Sequence, residues 1–195
     1  ISDAVTCIER EVFSGCTSLT SVTLGKSLTK IQAEAFYNCS SLTSIVIPEG
    51  VTTIGESAFA GCTSLASVVI PDSVTSIGEN AFSGCTALAT VKLGGGLTSI
   101  EAGLFDGCPI TDLTISEGVT TIGERAFAGG KFQKLTLPDS ITTIGPSAFS
   151  GCADLTSVTF GNSLTTIGDR AFANCKLYSV KLPDSVRTLG AYAFN

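Results

Sequence analysis

The stretch Leu65–Cys85, LASVVIPDSVTSIGENAFSGC, decides the reading, because close variants of it fill the rest of the chain. Its Phe82 belongs to a series: Phe13, Phe36, Phe59, Phe82, Phe105, Phe127, Phe149, Phe172 and Phe194, with steps of 23, 23, 23, 23, 22, 22, 23 and 22 residues. Other rows keep the same phase. A small apolar residue precedes most of these phenylalanines, as at Ala58, Ala81, Ala126 and Ala171. Five residues before each lies an isoleucine or leucine (Ile54, Ile77, Ile100, Leu189), and eight before lies Val51, Val74, Leu97 or an equivalent. Self-similarity at a fixed period of this length is the signature of stacked repeats, in which no single unit can bury its apolar residues alone.

Within the quoted stretch, the alternation Ser67-Val68-Val69-Ile70-Pro71 predicts a short strand with Val68 and Ile70 facing inward. Pro48, Pro71, Pro138 and Pro183 end such strands, since proline cannot donate to a ladder. A second extended piece follows at Val74-Thr75-Ser76-Ile77. Gly55, Gly78, Gly123, Gly145, Gly168 and Gly190 are expected in a conformation that residues with a Cβ avoid. The segment Glu79–Gly84 has the length of one turn of α- or 3₁₀-helix. The three shorter steps each lack one residue between the cysteine position and the next large apolar residue, as in Cys108-Pro109-Ile110 and Cys175-Lys176-Leu177. A deletion confined to one point of the repeat marks an external loop.

The run Leu65–Cys85 resembles the repeat of the BspA-like leucine-rich-repeat family, whose hallmark segment stands here as Gly78-Glu79-Asn80-Ala81-Phe82-Ser83-Gly84-Cys85. The likeness covers essentially the whole chain, residues 1–195, as one solenoid of about eight to nine turns that starts and ends inside a repeat. Departures are local: Gln32 and Glu101 replace the glycine, Leu104 the small alanine, and Gly130 the cysteine. The resemblance implies a right-handed leucine-rich-repeat superhelix. Its parallel β-sheet lies on the concave side, with short strand, turn and helical segments on the convex side. At roughly 4.8 Å per turn, nine turns would be about 40 Å long.

Composition sets further bounds. The 195 residues are 44% hydrophobic and only 14% charged, with eight Cys and no His, Met or Trp. A core of ordinary size is therefore affordable, and a disordered acidic tail is excluded. No apolar run reaches 18 residues, so no membrane insertion is expected. The chain begins at Ile1 without a basic leader or initiator Met and reads as a processed or excised piece. Eleven Lys and Arg against 17 Asp and Glu give a net charge of −6 with no basic run, which argues against nucleic acid as a partner.

Seven of the eight cysteines (Cys16, Cys39, Cys62, Cys85, Cys108, Cys152, Cys175) fall three residues after a repeat phenylalanine. Eight cysteines alone suggest a disulfide framework. In register, however, neighbours have Cβ atoms about 4.8 Å apart, slightly beyond disulfide reach, so buried free thiols are expected. No Cys-x-x-Cys clamp or histidine is present, and no metal site is expected. At the missing rung, Gly130 is followed by Phe132 where other turns have Leu or Ile, which predicts that the larger ring fills the space of the lost thiol. Cys7 is out of phase. It is either a reactive or intermolecular thiol or an inert substitution.

Catalytic chemistry finds little support. Without histidine, no serine or cysteine has its usual activating base, and the chain is expected not to be an enzyme. Glu56 and Glu79 share a phase in adjacent turns, continued by Glu124 and Asp169, and read as a solvated face rather than a catalytic pair. The row Glu49, Asp72, Glu117, Asp139 and Asp184 follows the strands and suits turn formation by side-chain acceptors, with weak calcium binding the alternative. Gly94-Gly95-Gly96 lacks a phosphate-loop signature, and no cofactor is implied. Asn38-Cys39-Ser40 matches the glycosylation pattern, with its middle residue in the buried row.

The outward strand positions form two rows: Ser21, Ser44, Ser67, Thr90, Asp112, Lys134, Ser157, Ser179 and Thr23, Val46, Val69, Lys92, Thr114, Thr136, Thr159, Lys181. The surface is hydroxyl-rich and nearly free of the aromatics that dominate tight epitopes. Its monotony breaks at Val69, Lys92, Asp112, Thr114 and Lys134, the candidate binding patch. The family resemblance implies an extracellular or cell-surface module for adhesion or for binding a protein or cell-surface ligand. The alternative is a structural protein that self-associates end to end through uncapped edges.

Overall fold

In the computed structural model, which describes residues 1–195, the repeats coil into a stack of parallel strands. One wall carries two-residue strands at Cys7–Ile8, Lys30–Ile31, Thr53–Ile54, Ser76–Ile77, Ser99–Ile100, Thr121–Ile122, Thr143–Ile144, Thr166–Ile167 and Thr188–Leu189. They pair in register with one repeat of offset, Ile31 beside Ile54 and Ile122 beside Ile144, in two sheets that part between Ile77 and Ser99. The gap falls at the turn where Glu101 replaces the glycine. Gln32, also not glycine, keeps its N–H bond to the Ile8 carbonyl at 2.9 Å, so a Cβ alone does not open the ladder.

The second strand row runs through Ser21–Val22, Ser44–Ile45, Ser67–Val69, Thr90–Lys92, Lys134–Thr136 and Ser157–Thr159. As expected from the alternation, Val68 and Ile70 are buried and Val69 is exposed. This row is joined only in pairs: Ser21–Val22 with Ser44–Ile45, Ser67–Val69 with Thr90–Lys92, and Lys134–Thr136 with Ser157–Thr159, plus a single bridge from Thr90 to Asp112.

The helical turn expected at Glu79–Gly84 is absent, and no residue of the chain is helical. A left-handed residue opens the segment in each turn: Glu11 (φ 61°), Glu34 (57°), Ser57 (52°), Asn80 (57°), Gly103 (63°), Arg125 (54°), Ser147 (54°), Arg170 (55°) and Tyr192 (58°). A positive φ at that point stops a right-handed helix. Local turns then alternate with bonds to the next coil. Ser57, Phe59 and Gly61 donate N–H to the carbonyls of Glu79, Ala81 and Ser83 at 2.8–2.9 Å, while Ala58, Ala60 and Cys62 donate three residues back. The same three inter-coil bonds recur at all eight junctions, down to Arg170, Phe172 and Asn174 onto Ala191, Ala193 and Asn195.

The reason for glycine also differs from expectation. Gly78 and its counterparts do not have a positive φ. They lie against the coil below, where a Cβ on Gly78 would stand 2.7 Å from the Glu56 Cα. Close backbone approach, not a special dihedral, excludes a side chain.

The nine repeat phenylalanines form a continuous spine, with ring centroids 5.1–5.6 Å apart and planes within 15° of parallel. All but Phe13 and Phe194, which pack half-buried against it, sit in one core cluster of 52 buried residues that includes the Ile, Val and Leu rows, and no polar or charged residue is buried. Threonine hydroxyls cap the carbonyls of the coil below, in the series Thr29 to Thr6, Thr52 to Thr29 and Thr75 to Thr52. The shortened loops at Pro109, Lys131 and Lys176 lie at the surface, and the coils on either side stay in register.

Candidate functional site: the paired-strand face

Depressions run along the face built by the second strand row, and most of them lie where its backbone pairing is missing. One of about 320 Å³ lies between Ser44–Ile47 and Ser67–Pro71. Another of about 450 Å³ is lined by Thr90, Lys92, Asp112, Thr114 and Ser116. A third of about 360 Å³ is lined by Thr114, Glu117, Lys134 and Thr136. These three lie between coils whose strands are not paired or are joined by the single Thr90–Asp112 bridge. The candidate residues accordingly fall into two places: Lys92, Asp112, Thr114 and Lys134 line adjoining clefts, and Val69 lines the cleft toward the N-terminal end beside Val46.

Sequence reasoning missed the largest depression. About 600 Å³ in volume, it lies between Val22, Leu24 and Lys26 on one coil and Val46, Pro48 and Glu49 on the next. Val46 is 80% exposed and Val69 56%, side by side on neighbouring coils. Two adjacent valines in a row otherwise made of Thr and Lys were the signal available in the sequence.

The charged rows have plain structural roles. Asp72 accepts the Gly95 N–H at 2.8 Å and Asp139 the Asn162 N–H at 2.7 Å, each bracing the turn of the next coil. Glu56, Glu79, Glu124 and Asp169 are exposed on the other wall, far along the repeat from the clefts. Ion pairs join Arg10 to Glu11 and Glu34, Arg125 to Asp106 in a two-pronged contact at 3.0 and 3.1 Å, and Lys131 to Asp154.

All eight cysteines are free thiols. The in-phase ones form a column in which each Sγ donates to the phenylalanine carbonyl of the preceding coil: Cys39 to Phe13, Cys62 to Phe36, Cys85 to Phe59 and Cys108 to Phe82, at 3.0–3.3 Å. Burial pushes the Cys39 and Cys62 thiols up from their ordinary range, and a hydrogen bond with Cys108, together with burial, does so for Cys85. Such thiols are inert. Cys7 is half-buried, with its Sγ 3.3 Å from Gln32 Nε2, while Cys16, at the open start of the column, is the exposed thiol. At the missing rung Phe132 fills the vacancy as expected: it is buried, and its Cζ lies 2.9 Å from where a Gly130 Cβ would stand. Its ring also meets Phe149 edge-on at 6.1 Å.

The family model for the BspA type leucine rich repeat region, in six copies, matches residues 1–111 and 85–195. The chain belongs to this family. A search of curated proteins found no match. Among solved structures, this BspA-type chain is similar to a leucine rich cell surface protein from Faecalibacterium prausnitzii A2-165. The two share 28% identity over 97% of this chain and 68% of that one, with a TM-score of 0.64. A leucine-rich repeat protein from Eubacterium ventriosum is 29% identical over 97% of this chain and 45% of its own length, with a TM-score of 0.64. One from T. pallidum is 28% identical over 88% of this chain and 73% of its own, with a TM-score of 0.60. No helix of this BspA-type solenoid is long and apolar enough to cross a membrane.

Proposed function

We propose that the 195-residue solenoid acts as one non-enzymatic interaction module at a cell surface, binding a protein ligand through the paired-strand face centred on Val69, Lys92, Asp112, Thr114 and Lys134. The observation that carries this reading is the coincidence of two irregularities. Outward side chains stop repeating on the same face, and over the same coils, where the backbone ladder opens into clefts. A surface that had only to stay soluble would have no reason to concentrate both there. The cell-surface description of the Faecalibacterium prausnitzii protein supports the location.

The test is selection from a display library of random 12-residue peptides. Peptides enriched on the protein are expected to lose about tenfold or more in affinity for the triple variant Lys92→Ala, Asp112→Ala, Lys134→Ala, whose melting temperature should match the parent. Undiminished binding to that variant, or no enrichment on the parent over it, would overturn the assignment of the face.

A second reading is end-to-end stacking of the chain through its terminal coils. Light scattering across a hundredfold range of concentration should then show growing mass. A constant monomer mass would exclude it.

A further inference from the structure

We infer that the ligand of this face is an extended acidic polypeptide segment. It lies along the stack with an apolar end over Val46 and Val69 and its carboxylates over Lys92, Lys134 and Lys181. The inference rests on the paired-strand face being the binding surface, and adds the chemistry of the partner.

Charge gives the first argument. Of the sixteen outward strand positions, only Lys92, Asp112, Lys134 and Lys181 are charged, three of the four cationic on a chain whose net charge is −6. All three lysines are exposed and none takes part in an ion pair, since those pairs use Arg10, Arg125 and Lys131. Of the carboxylates along the rim, Asp72 and Asp139 are already occupied by backbone N–H groups of the next coil. Glu49 and Glu117 stand at the edges of the depressions beside Lys26 and Lys134. Lys92, Lys134 and Lys181 thus form a row of cations without ion-pair partners, and such a row favours and orients an anionic ligand.

Spacing gives the second. Lys92, Lys134 and Lys181 recur every second coil, and coils are separated by spine steps of 5.1–5.6 Å, so the ammonium groups repeat at about 11 Å along the axis. Three residues of polyproline II chain span about 9 Å and bring the side chain back to the same face. An acidic residue at about every third position of a segment in that conformation therefore meets each lysine in turn, and the flexible lysine stems absorb the difference in spacing and the one-row offset of Lys134.

The apolar end fixes the polarity. The largest depression, lined by Val22, Leu24, Val46 and Pro48, opens beside exposed Val46 and Val69 at the N-terminal end of the same face. A nucleic acid is the other extended polyanion, but no outward strand position is aromatic, so the face offers its bases nothing to stack on.

The experiment compares peptide-library pools selected on the parent protein and on the charge-reversed variant Lys92→Glu, Lys134→Glu, Lys181→Glu, both checked for equal melting temperature. The parent pool should be rich in Asp and Glu at about every third position next to one or two large apolar residues. Its best synthetic peptide should weaken about tenfold on the reversed variant and again between 50 and 500 mM NaCl. Val46→Ser with Val69→Ser should weaken it as well while leaving the salt dependence intact. A parent pool that is neutral or basic, yet lost on the Lys92, Asp112 and Lys134 alanine variant, would overturn the acidic partner and leave the face standing. A pool indifferent to both the lysine and the valine variants would overturn both. Tighter binding of poly(dT) than of any selected peptide would also overturn the proposal.

Discussion

The wall that carries Phe105 and the wall that carries Lys92 are joined to their neighbours in different ways. Along the phenylalanine wall every junction between coils has the same three backbone bonds, and the rings stack without a break from Phe13 to Phe194. Along the paired-strand wall the coils are joined two by two, and clefts open between the pairs. One wall holds the coil together, which leaves the other free to lose hydrogen bonds and vary its outward residues. In a one-dimensional stack, stability is a sum over junctions. Three bonds and a ring contact recur at every junction of the phenylalanine wall, so the opposite face can vary without breaking the stack.

Breaking the phenylalanine wall should have the largest effect. Phe105→Ala, in the middle of the spine between rings 5.5 and 5.6 Å away, should lower unfolding stability by about 3–5 kcal/mol in urea titrations. A loss below about 1 kcal/mol would mean that the spine is not what holds the coils.

The missing rung sharpens the same point. Gly130→Cys restores the repeat's consensus in sequence but puts a side chain where the Phe132 ring already lies, and should cost about 1–3 kcal/mol. Adding Phe132→Leu should recover most of that loss, because the pair then matches its neighbours. Additive losses in the double variant would contradict volume compensation.

The buried thiols make the phenylalanine wall sensitive to alkali. The folded chain holds Cys39, Cys62 and Cys85 protonated beyond their ordinary range, whereas unfolding lets them ionise. Their contribution is fully present below pH 9 and falls as pH rises above it, by at most about 1.4 kcal/mol per pH unit for each thiol. Urea midpoints at pH 8 and pH 10 check the sign. Replacing these three cysteines with alanine should flatten the dependence.

Smallest of all, the alanine variants of Lys92, Asp112 and Lys134 should change stability by less than about 0.5 kcal/mol each, since these side chains are exposed and make no ion pair. A larger loss would mean that the paired-strand wall also bears load.

Much of this was legible in the sequence because side-chain rows report burial directly. The steps of 22 and 23 residues placed the spine, the shortened loops and the inward Val68 and Ile70, and the Gly130–Phe132 exchange was readable as volume. What was not legible belongs to the backbone. The segment Glu79–Gly84 has a helix-like length, yet Asn80 at φ 57° and its N–H bond to Ala102 turn it into a rung between coils. Gly78 was expected to need a special dihedral, whereas the constraint is the Glu56 backbone beneath it. The breaks in strand pairing leave the outward and inward alternation untouched, so the alternation does not announce them. Val46 was visible in its row, but the depression beside it depends on Pro48 and Leu24 from two coils. Cys16 shares the phase of Cys39, Cys62, Cys85 and Cys108, yet it is exposed where they are buried, a difference its phase does not show.

The most direct measurement is an NMR titration of isotope-labelled protein with the best peptide selected on it, following backbone amides. Division of labour between the walls predicts shifts clustered at Val46, Val69, Thr90, Lys92, Thr114, Lys134 and Thr136, with Glu56, Glu79 and Glu124 unmoved. Shifts centred on the glutamate row, or on the terminal coils at Val12 and Leu189, would contradict it.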